Sequence, residues 1–236
     1  MDKLTWYDEE GRLYCRRGYE VALARLASYE ATGLSPEQIA KAKDAPADVA
    51  PVVHGRWMEL KEALAQGENP VAIGDEIEIE LKTGERVTLV CELVKDGRAT
   101  FFAKNLLEDT HAMDEGWITG WEKHLSTMDG YLEKLFRLLP DDLQAVICGG
   151  KLRLLREREV FGRNIYGRSK YCEQLPRYQE PGNRVKRLSG VPFPYWLATQ
   201  NAAYSAHFCT VNSDGSSSGY LTGASYSNGV CFGFEI

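Results

Sequence analysis

A chain of 236 residues with 44% hydrophobic and 26% charged residues is long enough for one good-sized core plus a smaller appended unit. Its formal net charge of −6 argues against a general grip on nucleic acid, which rests on Lys and Arg neutralising phosphates. No apolar run approaches the ~18 residues of a membrane span, and the start MDKLTWYDEEGRLYCRR carries acids where a signal peptide needs a basic start and an apolar stretch. Synthesis in the cytoplasm, no membrane insertion and no nucleic-acid partner are the expectations.

At 18–29 the apolar residues Tyr19, Val21, Ala22, Leu23, Leu26 and Tyr29 fall mostly three or four apart, the stripe of an amphipathic helix, which Thr32-Gly33 ends. Ser35-Pro36-Glu37-Gln38 restarts a helix with a hydroxyl N-cap, proline at the first helical position and Gln38 three residues after the cap. Residues 1–50 therefore read as a helical N-terminal module with its linker, too small to bury a core alone. It must pack on the main domain or on another copy, so these helices are expected to serve as a docking element or to join a homo-oligomer. The stretch AKDAPADVAP at 42–51 reads as the linker, which places the main domain at 51–236.

That domain opens at 54–66 with a short helix, or a strand followed by one, broken by Gly67-Glu68-Asn69-Pro70. Residues 76–81 alternate acid and apolar, Lys82-Thr83-Gly84-Glu85 turns, 87–93 returns, Asp96-Gly97 turns again and 99–103 gives a third strand: a meander with one wet face. The best helical stripe is at 120–139, through Trp121, Leu125, Met128, Leu132, Leu135, Phe136 and Leu139; Gly130 marks a candidate break and Pro140-Asp141-Asp142 closes the segment. This stripe should pack on the sheet. The basic stretch at 151–158 reads as a solvated face, with a strand at 152–155 and a helical turn at 157–161, and 164–187 as a long basic loop region containing prolines. The ending differs. Strands at 195–197, 207–211, 219–222 and 230–236 are separated by Gly, Ser, Asn and Asp, with Asn212-Ser213-Asp214-Gly215 as a hairpin turn.

The six cysteines show no Cys-x-x-Cys pair and no histidine at zinc spacing, so no metal site is expected. A reducing cytosol favours free thiols; whether Cys209 and Cys231, both on C-terminal strands, pair stays open. His54, His111 and His124 have no partner at catalytic or metal spacing. No catalytic residue and no cofactor are assigned.

Several pieces resemble, in order, an uncharacterised domain family of gut bacterial and phage genomes. They are IGDEIEIELKTGERVTLV at 73–90, LLPDDLQAVI at 138–147, LREREVFG at 155–162, Tyr195-Trp196-Leu197, VNSDG at 211–215 and the closing GVCFGFEI at 229–236. Ala198-Thr199-Gln200 stands where the family continues with Arg-Ser-Pro, and Cys231-Phe232 where it closes with Arg-Pro. The Trp-containing strand, polar stretch and Gly-Val-x-x-x-Phe close also look like the C-type-lectin-like fold of formylglycine-generating enzymes and of the variable proteins of diversity-generating retroelements. RLASYEATGLSPEQI at 25–39 is similar to a segment of many small phage-encoded proteins. The resemblance implies an α+β, C-type-lectin-like mixed domain with short antiparallel strands after the helical module, and a phage or prophage origin.

Randomising the first two bases of an AAC codon never yields Lys, Glu, Gln, Trp or Met. None of these occurs at 201–234, although they make up about a quarter of positions 1–200. The region 196–236 is accordingly the expected ligand-facing surface. Tyr204, His207, Tyr220 and Tyr226, interleaved with Asn201, Ala203, Ser205, Ser216, Ser217, Ser218, Thr222 and Asn228, have paratope chemistry: rigid aromatic area with short adaptable polar groups. Trp196, Phe208, Val211 and Phe234 are expected beneath, in the core. Because His207 shares strand parity with Val211, a bulge is needed to turn it outward. Tyr220 is the strongest anchor and His207 the weakest. A calcium-type sugar site is not expected, since Glu180-Pro181-Gly182-Asn183 has a glycine inserted and no Trp-Asn-Asp exists. The expected function is a ligand-binding display protein, associated with the virion, for a protein or glycan ligand. The alternatives are a structural or accessory phage protein, and an oxidase of the formylglycine-generating type whose cysteine pair could only be Cys209 and Cys231.

Overall fold

The computed structural model describes residues 5–7, 13–15, 57–114, 127–218 and 222–236. Near the N-terminus β1 (Thr5–Tyr7) pairs antiparallel with β2 (Leu13–Cys15), Trp6 opposite Tyr14, inside the stretch assigned to a helical module. The two helices expected between 18 and 50 and the linker at 42–51 lie outside the described residues.

From residue 57 the fold mixes helices with antiparallel sheets. α1 (Trp57–Ala65) is the helix expected at 54–66, ended by Gly67 at φ 81°. The meander forms as β3 (Glu76–Glu80), β4 (Arg86–Lys95) and β5 (Arg98–Ala103), with Asp96 and Gly97 both at positive φ in the tight turn. α2 (Thr127–Leu138) puts Met128, Leu132 and Leu135 into the core and runs through Gly130 without a break; Trp121 and Leu125 lie outside the described residues. Pro140 does end that helix, but as the first residue before another, α3 (Asp141–Val146), whose opening acids Asp141 and Asp142 suit a helix N-terminus.

β6 (Arg153–Leu154) and α4 (Glu157–Phe161) follow, as read from sequence. The supposed loop at 164–187 holds two short 3-10 turns and leads into a hairpin of β7 (Arg187–Leu188) and β8 (Val191–Pro192), turned by Ser189 and Gly190 at positive φ. The ending supplies β9 (Tyr195–Gln200), β10 (Phe208–Val211), β11 (Ser217–Ser218) and β12 (Phe232–Glu235). Two sheets dominate, of order β3-β4-β5-β12-β6 and β11-β10-β9. The last strand is thus inserted between β5 and β6. Among the described residues no helix is long and apolar enough to cross a membrane.

Rings of Trp57, Phe101 and Phe234 meet at 5.7 to 6.2 Å and tie α1 to the larger sheet. The expectation of one wet face holds for β3 but not for β5, which is buried from Ala99 to Ala103. Phe101 faces the aromatic cluster, while the Arg153 guanidinium lies 4.7 Å over the Phe102 ring.

A bulge between Cys91 and Leu93 puts an extra residue, Glu92, into β4 and leaves it 1% exposed. Arg177 reaches one of its oxygens at 3.1 Å. Burial still pushes the Glu92 carboxyl above its ordinary 4.5, against the pull of Lys186 and Arg177. A carboxyl with a raised folded pKa binds its proton more tightly in the native state. Its stabilising contribution is therefore present below the unfolded value and is lost as pH rises through the folded one. Glu92→Gln, which removes the ionisation, should gain in melting temperature relative to the parent between about pH 4 and about pH 8. Thermal unfolding at both pH values checks this, and a difference that shrinks with pH would contradict it.

Candidate ligand-binding surface

At one end of the three-stranded sheet four backbone segments lie side by side. Gly167 bridges Asn201, the Ala202 N–H donates to Tyr166 O and the Arg168 N–H to Gln200 O. The Asn201 N–H donates to His207 O, and on the far side His207 bridges Gly223 while the Ala224 N–H donates to Ala206 O. Three connections therefore emerge together, at 164–168, 203–206 and 223–227.

Asn201 is 4% exposed and belongs to the framework. Its Oδ1 accepts the N–H groups of Ala203 at 2.8 Å and Tyr204 at 3.1 Å, an Asx turn that fixes the chain entering the tip. Ala203 and Tyr204 are exposed as a result, and Ser205 and His207 half-buried. The register between β9 and β10 shifts between Phe208 and Thr210, but the extra residues lie on β9, between Trp196 and Gln200, so the shift does not itself reverse the parity that His207 shares with Val211. His207 sits beside the Tyr204 ring at 5.3 Å, with its Nδ1 enclosed. Trp196, Val211 and Phe234 are buried, and Phe208 is half-buried, edge-on to Trp196 at 6.5 Å.

Tyr226 is exposed between exposed Ser225 and Ser227, whereas Asn228 is buried and bridges His111. Thr222 is half-buried with its hydroxyl 3.4 Å from that of Thr210. Ser216 stands apart. The hairpin turn at 212–215 forms as expected, with Asp214 accepting the N–H and hydroxyl of Ser216, bonds that hold its carboxyl below the usual range. Yet it lies at the opposite end of β10 from the 203–206 tip, four residues or about 13 Å of strand away. Ser217 and Ser218 are half-buried on β11, and the Ser217 hydroxyl donates inward to Glu157 at 3.3 Å. Tyr220 lies outside the described residues. The structure thus brings together Ala203, Tyr204, Ser205, His207, Thr222 and Tyr226, places Asn201 and Asn228 in the framework, and leaves Ser216 remote.

Sequence reasoning missed Glu157 and the loop it holds. Glu157 is wholly buried, and its carboxylate accepts the backbone N–H groups of Ile165, Tyr166 and Gly167 at 2.9 to 3.0 Å. Asn164 clasps Ser169 by its side-chain oxygen and nitrogen, closing the loop at its base. Ile165, Tyr166 and Tyr171 project 39%, 40% and 79% exposed. The legible signal was Arg and Tyr interleaved in a loop, a composition of binding hot spots. Nothing in a lone Glu after Arg156 announces a buried carboxylate.

Cys91, Cys209 and Cys231 are free and buried. Burial pushes the Cys91 thiol up to about 11 and raises Cys209, which also faces Glu157, and Cys231. Such thiols stay protonated at neutral pH, the reverse of an activated nucleophile. Among the described residues no group of His, Cys, Asp or Glu is arranged to hold a metal ion. Asn183, in the near-miss sugar motif, instead donates to Arg177 O within a 3-10 turn region. Comparison of the chain with protein-family models, with curated proteins and with solved structures returned no match.

Proposed function

We propose that this protein is a ligand-binding display protein of phage or prophage origin, the variable protein of a diversity-generating retroelement, built on a C-type-lectin-like domain. It acts without catalysis or a cofactor and binds a protein or glycan ligand through the end of the β9–β10 sheet. The observation that carries this reading is a contrast within that end. Tyr204 is 47% and Tyr226 60% exposed, while Asn201 at the tip and Trp196, Cys209 and Val211 along β9 and β10 are buried. Large rings left in water forgo burial free energy that a stabilising cap would have recovered, and rigid aromatic area on turns is what recognition uses. The lack of Lys, Glu, Gln, Trp and Met at 201–234 supports diversification, and the protonated, separated thiols support binding over oxidase chemistry.

Two measurements test it. The double variant Tyr204→Ala/Tyr226→Ala should unfold within about 2 °C of the parent, since exposed side chains contribute little to folding. A fall of many degrees would mean that the rings cap the core. Sequencing the gene and its flanks should reveal an adenine-differing template copy of codons 201–234. Variation between isolates should concentrate at Ala203, Tyr204, Ser205, Ser225, Tyr226 and Ser227 and spare Trp196, Val211 and Phe234. An invariant region with no template would leave the structural or accessory role as the better reading.

A further inference from the structure

We infer that the loop at 163–171 docks an acidic polypeptide segment of the ligand, which rests on the display reading above and names the chemistry of its partner. Residues 151–187 carry eleven Lys and Arg against four Asp and Glu, in a chain that has 28 against 34 overall. Several of these cations serve the fold: Arg153 pairs with Glu159 at 2.8 Å, Arg177 with Glu92 at 3.1 Å, and Lys186 donates to Ala103 O at 2.7 Å. Arg163, Arg168 and Lys170 do not. All three are exposed, and none makes an ion pair among the described residues.

The loop that presents them is stiff. Its inner edge hangs on the buried Glu157 carboxylate, its ends are clasped by Asn164 and Ser169, and the Ala202 N–H ties it to the segment leading to Tyr204. Tyr171 is braced by the Arg158 guanidinium 4.8 Å from its ring. Little ordering entropy remains to be lost on binding. Exposed Ile165 and Tyr166 stand between the cations, so the surface alternates positive charge with apolar area.

That alternation selects among anionic partners. A nucleic acid would bring a continuous polyanion against a chain whose remaining residues are strongly acidic. A neutral glycan has no use for three unpaired cations. An acidic polypeptide satisfies both parts, with its carboxylates on Arg163, Arg168 and Lys170 and its apolar side chains on Ile165 and Tyr166.

The probe is fluorescein-labelled poly(Glu,Tyr) copolymer, titrated with the full chain and read by anisotropy at about 0.15 M salt. Binding should be tighter than to labelled polyglutamate. The triple variant R163S/R168S/K170S should weaken it by about tenfold or more, and K134S/K151S/R187S, which removes the same charge elsewhere, by less than about twofold. I165S/Y166S should erase the preference for the tyrosine-containing polymer. Matched melting temperatures show that each variant is folded. No binding by the parent, equal losses in the two triple variants, or displacement by oligothymidylate at lower concentration than by polyglutamate would overturn the inference. The display reading fails on other grounds, the flanking DNA and the pattern of variation at 203–227, so the two failures are distinct.

Discussion

Glu157→Ala should lower stability by about 3–5 kcal/mol, because the change strips one carboxylate from three backbone donors at once. The N–H groups of Ile165, Tyr166 and Gly167 all converge on it, and Gly167 is pressed so closely against β9 that an added Cβ would overlap Thr199 and stand 2.9 Å from Cys209 Sγ. There is no room for the loop to move inward and find other acceptors, so it must lift away to reach water. For a chain of this size the loss corresponds to a fall in melting temperature of about 10 °C. Glu157→Gln should fall between parent and alanine variant, since one oxygen remains to accept while the amide N–H₂ faces donors. Thermal unfolding gives the magnitude, and amide hydrogen exchange at 165–167 gives the location. Exchange in that loop unchanged by the alanine substitution would mean that the carboxylate does not hold it.

Gly233→Ala should be comparably severe for a different reason. Gly233 lies in β12 opposite Phe102 on one side and Arg153 on the other, with sheet hydrogen bonding on both edges. A Cβ there would overlap the Phe102 ring and the Phe101 carbonyl oxygen. The ring could rotate only into a filled core, and the carbonyl could retreat only by breaking the ladder. The expected cost is about 3 kcal/mol or more, at the upper end for overpacked sites. Gly182→Ala is the control, because its Cβ would meet nothing within 4 Å. It should change stability by less than about 0.5 kcal/mol. Denaturant unfolding of the pair checks the claim, and similar midpoints for both would show that the close approach at Gly233 is tolerated.

The meander of β3 to β5 and the α2 stripe were legible because each is a local pattern, whereas 54–66 was legible only as a helix or a strand followed by one. Acid and apolar residues alternate at 76–80, Asp96-Gly97 supplies the positive φ of its turn, and Met128, Leu132 and Leu135 recur at helical spacing. The turn at Asn212 to Gly215 was legible for the same reason, as Asp214 bonds only two residues ahead. What residues far apart in sequence do together was not. The pairing of β12 with both β5 and β6 joins segments more than seventy residues apart, and no period within either segment specifies that choice of neighbour. The burial of Glu92 follows from the bulge in the β4 and β5 register, which no pattern within 87–93 announces. At the candidate site the sequence determined a composition, Tyr, Ser and Asn in short turns. Tertiary structure decided which members face water: Asn201 is consumed by the 203–204 turn, Ser217 points to Glu157, Ser216 stands at the far end of β10, and Tyr204 and Tyr226 meet the 163–171 loop's end of the sheet. The division follows from range. Turn and helix preferences act over a few residues, whereas register, bulges and buried polar partners are set by packing between segments that the linear order does not place side by side.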